Sequence, residues 1–387
     1  MNAPKLRFKE FNDDWNLIRL GDCCNLITKG TTPNRFSESG IKFIKIESLI
    51  NKKIDNNKCL FVDEKTHITS LKRSVLEEKD VLFAIAGATI GKCGIIEKEN
   101  LPSNTNQALA ILRTTPKKLN PYFLLNVLDS NIMKKYILLN ISVGAQPNLN
   151  LEQMNNFKFK LPSEEEQLKV ANFLSLLDKK IELQSKEIED LKLFKLYTKN
   201  EIFNDYDAVL KLKDILVKWN KKNKNNSVKY VESISNKYGF ISQTDQFEDR
   251  NVASKNLNDY YIIEKGVFGY NPSRLNVGSL ALKTNDKISV VSPLYECFTT
   301  SQNNQYLLEW FDSKYFKKET ISKFEGGVRN TLNFSNLCEI EIRLPTIEKQ
   351  NKYSNIFKMF NNKIELEVKK LYKLHELKKG LMQSMFV

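Results

Sequence analysis

A register of 183 residues runs through this chain. Leu161-Pro162 recurs as Leu344-Pro345, Gln167 as Gln350, and Lys180-Ile181-Glu182-Leu183 as Lys363-Ile364-Glu365-Leu366. Laid on each other without gaps, 161–199 and 344–382 share 13 identities in 39 positions. The register also holds upstream. Leu124-Leu125 falls on Leu307-Leu308, Asp129-Ser130 on Asp312-Ser313, Gly144 on Gly327 and Leu149-Asn150 on Leu332-Asn333. Chance rarely keeps one register so long, so the chain is a tandem duplication. Solenoid units run to about 20–50 residues, so a period of this length means whole domains. The order reads globular half, tail, globular half, tail, with boundaries at 1–160, 161–204, 205–343 and 344–387.

The tails read as long helices. Pro162 closes a strand-like Phe157-Lys158-Phe159-Lys160, and no further proline or glycine appears until Gly239. Heptad rows follow: Leu174, Ile181, Ile188 with Leu177, Gln184, Leu191 in the first tail. The second has Phe357, Ile364, Leu371 with Phe360, Glu367, Leu374. Both carry a polar residue at the same slot, Gln184 and Glu367. A seam of period 3.5 with polar interruptions suits two helices packed on each other as a coiled coil. The competing reading, that each helix packs only on its own domain, explains the shared polar slots less well.

The globular halves read as mixed and strand-rich. Ile41 to Ile46 alternates apolar and charged residues, as a half-buried strand does. Val81 to Ile90, Cys93 to Ile96 and Ala108 to Leu112 are further strand candidates, and Tyr260 to Ile263, Val267 to Tyr270, Ser279 to Leu282 and Ile288 to Val291 are their counterparts. Pro121 to Leu128 and Gln305 to Phe311 read as short amphipathic helices. The 1–120 and 205–300 regions align poorly, so residues there do not transfer between halves.

Charge narrows the partner. With 60 Lys+Arg against 46 Asp+Glu the net charge is +14, and an excess of this size in a folded chain favours a polyanion. Residues 161–200 hold 7 basic and 8 acidic side chains, net −1, and 344–387 hold 9 and 4, net +5. The remaining 14 + 1 − 5 = +10 lies in the globular halves, as two DNA-touching domains would need.

Polar loops between strands supply the amide, hydroxyl and guanidinium groups that tell base edges apart. In the first half these place Lys29, Thr31, Thr32, Asn34, Arg35, Thr89, Lys92, Asn104, Asn106, Gln107, Gln146 and Asn148 as candidate DNA contacts. In the second they place Gln243, Tyr270, Asn271, Ser273, Arg274, Asn276, Thr299, Ser301, Arg329 and Asn330. Taken singly, each loop reads first as a simple turn. They gain weight as sets recurring on two basic domains.

Catalytic signatures are missing from the motifs. The two histidines, His67 and His375, stand apart from other metal-ligand types, and six cysteines at 23, 24, 59, 93, 297 and 338 show no C-x-x-C spacing. Gly87 to Cys93 has three residues between its glycines where a phosphate loop needs four, and Cys93 follows Lys92 where Ser or Thr is required. Asn271-Pro272-Ser273-Arg274 lacks the second proline and the aromatic residue of an amino-methyltransferase motif. Glu367-Val368-Lys369 has nuclease-like spacing but lies on the heptad helix without a partner aspartate motif. No metal site and no bound cofactor are expected. The start is polar and the longest strongly apolar run, Val81 to Ile90, is too short to span a bilayer, so a cytoplasmic protein is expected.

The chain resembles the specificity subunits of type I restriction–modification systems over essentially its whole length. The resemblance is carried by Trp15 to Gly21 followed by Lys29-Gly30-Thr31-Thr32-Pro33, by Gly87 to Gly91 with Asn106-Gln107-Ala108, and by Leu161-Pro162 to Gln167 and Leu344-Pro345 to Gln350 heading the helices. Tyr238-Gly239-Phe240-Ile241, Tyr270 to Gly278 and Ser292-Pro293-Leu294-Tyr295 complete it. It implies an α+β fold of two tandem target recognition domains, each followed by a long helix. The helices would pair antiparallel with pseudo-twofold symmetry through Leu174, Leu177, Ile181, Ile188, Leu191, Phe357, Phe360, Ile364, Leu371 and Leu374. It further implies that each half reads one part of a bipartite, asymmetric DNA target. Two methylation subunits using S-adenosylmethionine and two restriction motor subunits using ATP and Mg would be the partners. A stand-alone methyltransferase or nuclease with tandem binding domains would need a cofactor or metal motif. A coiled-coil scaffold with no DNA role would be excluded by DNA affinity that falls steeply with salt.

Overall fold

The structure, a computed structural model, describes residues 3–141, 147–235, 238–243, 256–277, 279–321 and 331–386. By contacts the chain divides into two compact units. Unit 1 comprises Met1–Ser185 with Lys369–Val387, and unit 2 comprises Lys186–Val368. The cuts fall inside the two long helices, Glu164–Asn204 and Ile347–Ser384, so each unit holds one half of each.

Unit 1 is built on a four-stranded antiparallel sheet in the order Cys24–Lys29, Leu109–Thr114, Val81–Ala84, Cys93–Ile95. One row across it reads Lys29, Ala110, Phe83, Cys93. The strand Val81–Ala84 is buried on both faces, which is why its sequence is a continuous apolar run rather than an alternating one. The expected strand through Ile90 stops at Ala84, because the chain turns at Gly87, where φ is 85°. A second sheet pairs Ile41–Ile44 with Leu60–Val62 and, in parallel, with Ser103–Thr105.

Unit 2 repeats the first sheet strand for strand: Leu216–Lys218, Glu296–Thr300, Phe268–Tyr270, Leu280–Leu282, all antiparallel. The regions that align poorly in sequence therefore share their topology. A ladder is made by backbone groups, and it needs apolar side chains on the covered face but no particular ones. The outer pieces differ: unit 2 carries two separate two-stranded ladders, Glu232–Ser235 with Gly239–Ser242 and Tyr261–Ile263 with Ser289–Val291.

The identities that keep the 183-residue register are caps and staples. Asn120 caps the helix Pro121–Asp129, and Asn303 caps Asn304–Phe311. Asn150 and Asn333 cap Leu151–Asn156 and Phe334–Cys338 in the same way. Gln167, buried, accepts from Asn120 N–H at 2.8 Å and donates to the Pro162 and Lys118 carbonyls. Gln350 accepts from Asn303 N–H at 3.1 Å and donates to the Pro345 carbonyl and Gln302 Oε1. Each glutamine thus fastens a cap to the first turn of a long helix. Trp15 serves the first helix too, donating from Nε1 to Glu166, whose carboxylate also takes two 2.8 Å bonds from Arg7.

Within each unit the heptad rows form the covered stripe. In unit 1, Leu174 and Leu177 are buried and Ile181, Leu371 and Leu374 half-buried. In unit 2, Ile188 and Phe357 are buried and Leu191, Phe360 and Ile364 half-buried. The helix halves of unit 2 run antiparallel: Glu187 meets Lys363, Phe194 meets Phe360, and Phe203 meets Phe357. Of the polar slots, Gln184 is half-buried, while Glu367 is 1% exposed and bonded to Lys363 one turn back at 2.5 Å. In unit 1 Lys378 reaches Asp178 at 2.5 Å. The C-terminal end of each helix docks by an aromatic at the same register: Phe203 in the last turn against Tyr306 in unit 2, and Phe386, two residues past the helix end, against Phe123 in unit 1.

Candidate nucleic-acid interface

In unit 1 one end of the four-stranded sheet gathers the polar loops. The strand Cys24–Lys29 leaves there into 30–35, Val81–Ala84 leaves into 85–92, and 106–108 enters Leu109–Thr114. Gly30 makes the crowding possible, because a Cβ on it would lie 2.0 Å from the Thr105 carbonyl oxygen. Thr31 N–H bonds that same carbonyl at 3.0 Å, and Thr32 Oγ1 bonds Gln107 Oε1. Asn148 joins by a bridge to Ala86, backed by Gly87 N–H on the Pro147 carbonyl. Lys29, Thr32, Asn34, Arg35, Thr89, Lys92, Gln107 and Asn148 are exposed, and Thr31 and Asn106 half-buried. Asn106 Oδ1 accepts from Ala108 N–H at 3.2 Å, and Lys92 Nζ donates to the Ile46 carbonyl at 3.1 Å.

The corresponding end of the unit 2 sheet is made by Tyr270, Glu296 and Leu280 in one row. The loop 271–279 is closed by Asn271 N–H on the Ser279 carbonyl and by Ser273 N–H on Asn271 Oδ1 at 3.0 Å. Leu275 is buried beneath it, and Ser273 and Arg274 point their side chains into solvent. Beside it run 219–222 and 292–295.

The family profile for the type I restriction modification DNA specificity domain matches residues 12–193. A Methanocaldococcus jannaschii chain provisionally named the type I restriction enzyme MjaX specificity subunit is 25% identical over 98% of this chain and 95% of its own length. Residues 12–193 thus match a DNA specificity domain of type I restriction–modification enzymes, and the chain is similar over nearly its whole length to a named specificity subunit. The MjaVIII specificity subunit of the same organism is 25% identical over 97% of this chain and 94% of its own. The crystal structure of the type I restriction–modification S subunit from M. genitalium shares the fold, with TM-score 0.61 at 14% identity over 100% of this chain and 99% of that one.

Five expected contacts do not stand among these exposed loops. Asn104 is fully buried in the strand Ser103–Thr105, its amide bonded to Leu71, Ser74 and His67. Tyr270 lies in a strand buried at all three positions, and its hydroxyl is enclosed in the core. Burial pushes that hydroxyl's pKa far above its ordinary value, so it is a neutral core group. Thr299 and Ser301 follow Glu296 to the opposite end of the same strand, away from 271–279. A five-residue strand separates its two ends by about 15 Å, and sequence proximity to Glu296 concealed this. Gln243 is half-buried at the base of the hairpin 232–242, its N–H on the Val231 carbonyl. Gln146, Arg329 and Asn330 lie outside the described residues, as does the side chain of Asn276.

Sequence reasoning passed over two groups. Arg73, exposed, donates from Nη2 to Thr31 Oγ1 at 3.3 Å and so adds a guanidinium to the unit 1 loops. In unit 2 the buried Lys283 bonds Glu232, which also accepts from Ser289 Oγ at 2.5 Å. That pair ties the hairpin to strands on either side. An ion pair between residues 51 apart has no local sequence signal.

Proposed function

We propose that this chain is the DNA-reading subunit of a type I restriction–modification complex, each unit reading one part of a bipartite, asymmetric target. One observation carries the proposal: the same four-stranded sheet is built twice, and each copy turns polar loops out at the same end. Residues at loop tips on a rigid sheet can vary without disturbing the core, as sequence reading requires. The readers are drawn from the exposed set: Lys29, Thr32, Asn34, Arg35, Thr89, Lys92, Gln107 and Asn148 in unit 1, Ser273 and Arg274 in unit 2.

In this reading the chain has no catalytic centre and acts in the cytoplasm. Two methylation subunits would bring S-adenosylmethionine, and two restriction motor subunits would bring ATP and Mg. The long helices would set the unspecified spacer between half-sites. The net charge of +14 supports DNA as the partner. No helix of the described residues is long and apolar enough to cross a membrane.

The test is to produce the chain with a type I methylation subunit and to map modified adenines on the host genome. A gapped, bipartite motif modified only when both chains are present is the expected result. Modification that does not depend on this chain would overturn the proposal.

A further inference from the structure

His67 belongs to no motif, yet its neighbours fix the tautomer of its neutral ring. In unit 1 its Nδ1 lies 2.6 Å from Asn104 Oδ1. Asn104 is fully buried, and its amide is held from behind: Nδ2 donates to the Leu71 carbonyl at 3.1 Å and to Ser74 Oγ at 3.4 Å. A carbonyl only accepts, so the amide cannot turn over and its oxygen faces the imidazole. Nδ1 must therefore carry the proton, and Nε2 of the neutral ring is left as an acceptor. Among the described residues Nε2 has no hydrogen-bond partner, and it is not one of the enclosed unpartnered atoms. Its lone pair opens to solvent from a half-buried ring.

The residues that hold His67 also hold the unit 1 loops. The neighbour of Asn104 is Thr105, whose carbonyl receives Thr31 N–H, and Arg73 reaches Thr31 Oγ1 from the same stretch as Leu71 and Ser74. Through Asn104–Thr105 and Ser74–Arg73 the cluster joins His67 to the unit 1 loops, which carry the Arg73 guanidinium and the exposed Gln107 amide. In the major groove the groups complementary to the His67 acceptor are the exocyclic amines, N4 of cytosine and N6 of adenine.

We propose that His67 is a base-reading residue for one half-site, its Nε2 accepting a hydrogen bond from an exocyclic amine. The proposal rests on the specificity reading above and deepens it. Asn104, expected from sequence to touch DNA, becomes the positioning residue that fixes which nitrogen is offered. A pre-oriented acceptor loses nothing to reorganisation on binding, and a base lacking the matching donor leaves it unpaired.

The test uses the full chain with its methylation subunit, comparing wild type with His67→Phe and His67→Gln. His67→Phe keeps the ring volume without the acceptor. It should relax one base pair of one half-site, discrimination there falling about tenfold, with the other half-site and the spacer unchanged. His67→Gln, which again offers an acceptor, should recover part of it. On synthetic duplexes, purine for adenine or 2-pyrimidinone for cytosine at that pair should weaken wild type and leave His67→Phe indifferent, and the analogue that acts identifies the amine. An unchanged motif in His67→Phe, a uniform loss of modification with the motif intact, or equal sensitivity of both proteins to the analogues would each overturn the proposal. A wild-type complex that leaves no gapped motif would overturn the specificity reading, and this one with it.

Discussion

Gln167 and Gln350 each hold an asparagine N–H that would otherwise be buried without an acceptor, at the point where a short helix meets a long one. Replacing either by Leu should lower stability by about 1–3 kcal/mol, read as a fall in the urea midpoint. Midpoints unchanged in both variants would show that the staples contribute nothing. Glu309 makes a pH prediction. Burial by itself would raise its carboxyl, but the ammonium groups of Lys199 and Lys195, with hydrogen bonds from Lys195 and Asn361, hold it below the ordinary 4.5. A carboxyl depressed in the folded state adds stability that is complete above its unfolded value and lost as pH falls below it. Unit 2 should therefore weaken as pH drops through 4.5, and Glu309→Gln should flatten that limb. Parallel acid limbs in the two proteins would remove Glu309 from the account.

At the scale of elements, the long helices were the most legible parts, and the stripe read at Leu174, Leu177, Ile181, Ile188 and Leu191 is the stripe each unit covers. If these helices set the spacer, removing one heptad from both takes away about 10 Å of rise, about three base pairs of duplex. Motif mapping of the shortened chain should show a spacer shorter by that amount, and an unchanged spacer would sink the ruler idea. Strands were read well where β-branched runs end in turns, as at Cys93–Ile95 and Ser289–Val291. They were missed where the run is short or mixed, as at Leu49–Ile50, Lys53–Ile54 and Cys24–Lys29. Two residues of strand carry no periodicity to detect.

For the whole molecule, the excess of positive charge predicts DNA affinity that falls steeply with salt, linear in log–log form with a slope set by the phosphates contacted. A flat salt response measured by fluorescence anisotropy would favour the scaffold reading. The duplication, the two rods and the family resemblance were all legible in the sequence, because a repeat register and a heptad are patterns along the chain. Which candidate contacts stand together was not. Tyr270 and Arg274 are four positions apart, yet one is core and the other is solvent-facing, because the strand ends between them. His67 and Asn104 are 37 apart and share a hydrogen bond, because parallel pairing brings the strand Ser103–Thr105 beside Ile41–Ile44 and under the 64–74 segment. Local pattern determines which elements form. Only closure of the sheets decides which polar groups bond inward and which are left to meet another molecule.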